Sequence, residues 1–464
     1  MLLLILLVIV FSIPAIQTRL AKMVTDDINE EFGTDLVIKK VDLSLLGTVA
    51  LRGIEIRDHH QDTLIFVDRL RTSLINAKKI IDNKVDLGSV SIKGIHMHMK
   101  TYKDEETDNL TIFTDKFEED NPVDTTSTSG PFILRTSNIY LDYLNYRQED
   151  ENNEFSLEFV AYKGGGSLQD FEIVGPNVSI QINGLYFTDH RDIDYTSVTT
   201  SFKYTKEYMD FKNTVVKTPH SFLKAQIRFD YKRENLANFN ELVEIDAVFD
   251  KSYISVLDLN KLYNEIRGDD TLHFTTKLHG SLNNFSMTDL RLDSSQGLRI
   301  YGNMNFINAV NNELGFLLTA DLENVTAGYY RLKAILPNLL GNTLPSEFQR
   351  LGKFTLSGIT KLTTESIEAT LDINSQVGEI LTDMEITNFD NIDDAKYTGE
   401  VEFIGFDIGT FFEDPLFGKM SFLGDVNGKG FRIDNINTSL IGKASSIEFN
   451  GYDYLDIAIN GTYS

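Results

Sequence analysis

Cysteine and tryptophan are both absent from this chain of 464 residues, and proline occurs only 8 times. Without cysteine no disulfide can staple the fold and no thiol can act as nucleophile or metal ligand, so burial and strand pairing must supply the stability. Basic residues are also in short supply, 43 Lys and Arg against 69 Asp and Glu, for a net charge of −26. No basic excess exists to displace counterions from phosphates, which argues against a nucleic-acid partner; the acidity reads as solubility. Also missing are the Gly-x-Ser-x-Gly elbow, the P-loop, the dinucleotide fingerprint and the His-Glu-x-x-His zinc motif.

What is present is apolar and aromatic. Hydrophobic residues make up 42% of the chain, with 31 Phe and 19 Tyr. That is enough to bury substantial cores and fits a strand-rich fold. The length suits two to four compact domains or one elongated repetitive structure.

Residues 1–16 are nearly all apolar: Leu2, Leu3, Leu4, Ile5, Leu6, Leu7, Val8, Ile9, Val10, Phe11 and Ile13 are interrupted only by Ser12 and Pro14 before Ala15 and Ile16. As a helix this run reaches about 24 Å, short of the roughly 30 Å of a bilayer core. It reads as a membrane anchor or as a signal peptide. No basic segment precedes the run, and Ile13 stands where a small residue would favour cleavage. Either way the rest of the chain is exported. In residues 17–33, Leu20, Val24, Ile28 and Phe32 continue an every-fourth-residue stripe from Ile16, opposite Arg19, Lys22, Asp26, Asp27, Glu30 and Glu31. This predicts an amphipathic helix ended by Gly33.

Residues 34–102 alternate apolar and polar positions and predict five or six strands. Residues 103–130 turn acidic and Thr/Ser-rich and predict a loop or linker, with a brief strand at Leu110 to Phe113. Alternation resumes over 131–250, where Gly164, Gly165 and Gly166 predict a turn. In the segment Leu223 to Tyr231, Leu223, Ala225, Ile227, Phe229 and Tyr231 share one face and Lys224, Gln226, Arg228 and Asp230 the other, so one side of the sheet is dry. Over 251–464 a helix-plus-strands unit recurs about every 65 to 80 residues, with helices expected at Ile254 to Ile266, Thr326 to Leu340 and Asp407 to Phe412. Gly428-Lys429-Gly430 reads as a tight turn. Phe449 to Tyr463 reads as a strand with no capping element after it, which predicts continuation beyond Ser464.

Reactive constellations are sparse. His59 and His60 lie in a turn with Asp58 and Asp62, and His96 and His98 stand two apart on a strand. Both spacings occur at metal sites, but neither is specific, so no catalytic or metal residue and no cofactor is assigned. A glycosidase carboxylate pair cannot be picked out among so many acids. The dry face is the more informative feature. Its expected members are Ile92, Ala225, Ile227 and Phe229, then Ile245, Ala247 and Phe249, then Leu272, Phe274 and Leu278, and finally Phe354, Leu356, Phe403, Phe422, Phe449, Ile457 and Ile459. A second sheet could cover it; if instead the sheet curls without closing, it becomes a trough that something apolar must fill.

The apolar anchor, the stretch QTRLAKMVTDDINEEFGTDLVIKKVDLSLLGTVALRGIEIRD and then VDLGSVSIKGIHMHM together resemble the AsmA-like superfamily, most of all the N-terminal part of its TamB-type branch. The resemblance implies a mainly β protein, an elongated and twisted antiparallel groove with short helices between repeats, held in the inner membrane of a Gram-negative cell by one pass with its bulk in the periplasm. It also implies bound phospholipid, transport between the two membranes, no catalytic residues, and a partner outer-membrane barrel of the Omp85 type reached through a C-terminal domain not seen here. The alternative is a scaffold or chaperone for outer-membrane protein assembly, with sheet edges receiving nascent strands.

Overall fold

A computed structural model describes residues 25–463 except 27–28, 31, 44–47, 74–83, 117–132, 153–156, 264–266, 312–313, 336–345, 390, 392 and 432–434. The expected anchor at 1–16 lies outside the described residues. Among those described, no helix is long and apolar enough to cross a membrane. The protein is mainly β, with 68% of it in strands and few helices. It divides into two compact units, residues 1–238 and 239–464.

The first unit contains β1 (Asp35–Leu43), β2 (Thr48–Arg57), β3 (Thr63–Ser73), β4 (Lys84–Leu87), β5 (Val90–Thr101), β6 (Ile133–Asp150), β7 (Leu157–Val174), β8 (Asn177–Asp189), β9 (Asp194–Tyr204), β10 (Tyr208–Lys217) and β11 (Phe222–Asp230). Sequence neighbours pair antiparallel, with one departure: β4 and β5 both lie parallel to β6, and β5 pairs with β3. Thr25, Asp26, Asn29, Glu30 and Phe32 are helical, and Gly33 follows at φ 61°, the left-handed conformation expected of a helix-ending glycine. The Asn29 carboxamide accepts from the Leu36 N–H at 2.8 Å and donates to the Leu36 carbonyl at 2.9 Å, imitating a strand neighbour for β1.

Two local expectations are corrected here. Leu110 to Phe113 is not a strand but lies in helix α1 (Asn109–Asp115), because Asp108 caps it: its carboxylate accepts from the Thr111 N–H at 2.9 Å and hydroxyl at 2.7 Å. A good N-cap outweighs the weak strand preference of four residues. Gly164 to Gly166 is not a turn but the middle of β7. A Cβ on Gly165 would stand 2.5 Å from the Tyr186 hydroxyl, and one on Gly166 2.6 Å from the Gly184 carbonyl, so these glycines admit close neighbours rather than reverse the chain.

The second unit is a twelve-strand antiparallel meander: β12 (Glu244–Ser255), β13 (Thr271–Gly280), β14 (Phe285–Ser294), β15 (Arg299–Ile307), β16 (Leu317–Gly328), β17 (Lys353–Thr363), β18 (Ser366–Ser375), β19 (Gly378–Thr387), β20 (Lys396–Asp407), β21 (Phe417–Lys429), β22 (Asn437–Phe449) and β23 (Tyr452–Tyr463). After the single turn α2 (Phe239–Leu242), its helices are α3 (Val256–Leu262), α4 (Tyr329–Ile335) and α5 (Ile408–Phe412), starting at intervals of 73 and 79 residues. Each follows an even-numbered strand, so the meander places all three at one margin of the sheet.

Element boundaries shift from expectation for local reasons. Ile254 still pairs with Leu272, and Ser255 caps α3 by accepting from the Leu257 N–H, so that helix begins at Val256. Thr326 to Gly328 belong to β16, and α4 starts only at Tyr329. Gly428 and Lys429 complete β21, leaving Gly430, at φ 77°, to leave the strand. Phe449 closes β22, and Asn450 and Gly451, both at positive φ, make the turn into β23.

Near the helical margin Phe354, Phe406, Met420, Phe422 and Ala444 bury together with Leu351 and Ile408, and Leu332, Phe348 and Phe411 pack against them. Arg350 donates to the Phe411 carbonyl at 2.8 Å and pairs with Glu413 at 2.8 Å, joining α5 to the helical turn before β17. The Phe422 ring lies over the paired glycines Gly424 and Gly442: a Cβ on Gly442 would meet the Leu423 carbonyl at 2.3 Å and the ring at 2.8 Å. Gly442→Ala should therefore cost about 1–3 kcal/mol in urea unfolding. Gly461→Ala, with nothing within 4 Å, should stay within about 0.5 kcal/mol.

Candidate functional site: a continuous uncharged sheet face

Cross-strand partners share a face, so the register shows what each face carries. One rung of the second unit runs Ala247, Leu278, Met287, Met304, Ala320, Thr360, Ala369, Met384, Gly399, Val426, Leu440, Gly461. A second, nearer the helices, runs Phe274, Leu292, Ile300, Val325, Leu356, Ile373, Ile380, Phe403, Phe422, Ala444, Ile457. Neither contains a charged residue. The rung one residue away, on the opposite face, runs Asp246, His279, Ser286, Asn305, Thr319, Lys361, Glu368, Glu385, Thr398, Asn427, Ser439, Thr462 and is polar throughout.

Bulges hold this separation. An extra residue in one strand would turn every later side chain to the wrong face. In β12 the shift falls between Phe249 and Ser252, with Lys251 at φ 48°; in β14 it falls between Met287 and Leu290, with Asp289 at φ 53°. The apolar sequence positions change parity at these same points, so the uncharged face stays intact.

The expected lining residues can now be placed. Ile245, Ala247 and Leu272 are buried on this face; Phe249, Phe274, Leu278, Leu356, Phe403 and Ile459 are half-buried. Phe354 and Phe422 are on it too, but sealed into the core beside the helices. Phe449 and Ile457, 38% and 36% exposed, stand at the β22–β23 edge. In the first unit Ile227 opposes Phe211, which opposes Phe202, with the last two rings 4.8 Å apart. Phe229 opposes Met209, Ala225 opposes Thr214, and Ile92 lies between Leu70 and Leu141. Half-burial is the commonest state along the middle of the face among the described residues, with Ala320, Val325 and Val401 buried.

The histidine candidates resolve differently from the sequence expectation. Asp58 and Asp62 do not join the histidines. Asp58 is 3% exposed; its carboxylate accepts from the His60 and Asp62 N–H groups, from the Tyr102 hydroxyl at 2.7 Å and from the Asn109 carboxamide at 2.9 Å. Burial pushes its pKa up, but these donors outweigh burial and hold it below the usual carboxylate range. Burial, then the bonds to Asp58 and Asp62, raise the Tyr102 hydroxyl. The group that meets the histidines is Glu105, which sequence reasoning missed: Nε2 of His59 is 2.9 Å and Nε2 of His60 2.7 Å from its two oxygens. The bond to His60 is the main reason its pKa is lowered. His96 and His98 do not converge; His98 pairs with Glu149 at 2.7 Å and His96 faces Asn145.

Because Asp58 has a depressed folded pKa, its contribution is present above the unfolded value of about 3.9 and is lost as pH falls toward the folded one. Asp58→Asn should be less stable than the parent by about 1–3 kcal/mol at pH 7. Urea melts at pH 7, 5 and 3 should show that gap narrowing only below about pH 4. Neither a family model, nor a curated protein, nor a solved structure matches the chain.

Proposed function

We propose that the protein is a non-enzymatic cell-envelope component that carries phospholipid, held in the inner membrane by residues 1–16, with its sheets in the periplasm and an Omp85-type barrel as its outer-membrane partner. The observation that carries this reading is the pair of uncharged rungs spanning the second unit, half-buried over much of their length. An acyl chain asks nothing of its surroundings except exclusion from water, about 0.8 kcal/mol per CH₂. A polypeptide lying on the same face would leave its own N–H and C=O groups unpaired, because the groups in the ladders beneath are already used. A lipid could thus slide from rung to rung with its head group in water and no bond to break. The AsmA-like resemblance of residues 1–100 fits this reading.

A second reading, a scaffold for outer-membrane strands, draws on β23. Tyr452 to Ala458 are all exposed, and this strand pairs only with β22 among the described residues. Its outer edge could accept a strand by β-augmentation.

Mild-detergent purification followed by mass spectrometry of retained lipid separates the two. Wild type and Arg228→Asp, on the polar face, should retain several phospholipids per chain, and Ile227→Asp and Phe274→Asp should retain at least several-fold fewer. Lipid-free wild type, or equal retention in all folded variants, would sink the lipid reading and leave the scaffold.

A further inference from the structure

We infer that His59, His60 and Glu105 form a divalent transition-metal site that clamps the β2–β3 turn to the loop after β5. One donor atom from each residue, a ring nitrogen of each imidazole and a carboxylate oxygen of Glu105, lies within 4.8 Å of the others. An ion with bonds of about 2.0–2.2 Å holds neighbouring donors about 3.3 Å apart in a tetrahedral set, so small side-chain rotations suffice. Two imidazoles and one carboxylate suit zinc and its first-row neighbours and leave a coordination position open. Side-chain exposures of 25% for His59, 45% for His60 and 30% for Glu105 leave that position reachable from water.

What separates this cluster from a chance surface ion pair is the effort spent behind it. One imidazole would satisfy Glu105, yet two arrive from adjacent residues of one turn, one at each carboxylate oxygen. That turn is built on buried Asp58, which ties the His60 and Asp62 N–H groups to Tyr102 and Asn109. Tyr102 also bonds Asp62 and supports the His60 ring at a centroid distance of 3.9 Å. The Glu105 side is fixed as firmly: the Glu105 N–H donates to the Tyr102 carbonyl, and Asn152 donates to the carbonyls of Tyr102 and Glu105. The nearest cation above the Tyr102 ring, Lys100, is engaged by Glu151 at 2.8 Å. Such outer bonds hold ligands in place before an ion arrives.

Zinc ions alone are the probe, added to detergent-solubilised full-length protein stripped with chelator. Calorimetry at pH 7.5 should find one Zn²⁺ bound per chain, at least tenfold more weakly in His60→Asn and in Glu105→Gln, with His220→Asn unchanged. Zn²⁺ should raise the melting temperature of wild type but not of Glu105→Gln. Co²⁺ in the wild-type protein should give visible d–d absorption that Zn²⁺ displaces, a readout independent of any variant's folding. No uptake of Zn²⁺, or uptake unchanged in folded His60→Asn and Glu105→Gln, would overturn the site.

Discussion

Side-chain parity is the constraint on which everything else in this protein rests. A pleated strand sends successive residues to opposite faces, and across twelve strands one uncorrected insertion would mix the two sets. Along the two uncharged rungs and the polar rung beside them, the register of the second unit keeps the sets apart. The polar rung with Lys361 opposite Glu368, and Lys277 paired to Asp289 at 2.8 Å, lie on the wet side, and the two uncharged rungs lie on the dry one, while Ile359, Leu423 and Ile441 stand exposed among the wet-side residues. Bulges are the devices that restore parity where the chain carries an extra residue, and left-handed residues such as Lys251 and Asp289 mark where they work.

The helices follow from the same geometry. A meander returns to one margin after every second strand, so a helix inserted there always meets the same end of the dry face. Val256, Ile408 and the side chains of Leu332, Phe348 and Phe411 use it to close that end, and Phe422 and Phe354 are buried as a result. The same face is therefore core at one margin and half-open farther along. Which side chains are sealed and which stay half-exposed depends on distance from the helices.

Much of this was legible in the sequence because period-two alternation is a strong local signal: the run Leu223, Ala225, Ile227, Phe229 names its face without help. Legibility failed where a neighbour in space decided the matter. Gly165 and Gly166 are required by Tyr186 and Gly184 on the next strand and Gly164 by Leu144 on the preceding one, not by any turn, and nothing near them in sequence says so. The parity changes at Lys251 and Asp289 look like lapses in the pattern until the partner strand shows them to be bulges. Glu105 is 45 residues beyond His60, hidden in an acidic run where no single carboxylate stands out, and only the pairing of loops brings it to the imidazoles. Asp108 decides for helix over strand through its cap bond to the Thr111 N–H, which the apolar residues after it do not reveal.

The meander has one further implication, for size. Among the described residues each strand of the second unit pairs only with its sequence neighbours, so the unit is modular along its width. Adding or deleting a whole hairpin preserves strand direction, the margin at which helices emerge and the separation of the two faces. Adding a single strand does not. A sheet of this kind can widen in steps of two strands, about 9.5 Å each, without redesigning either face.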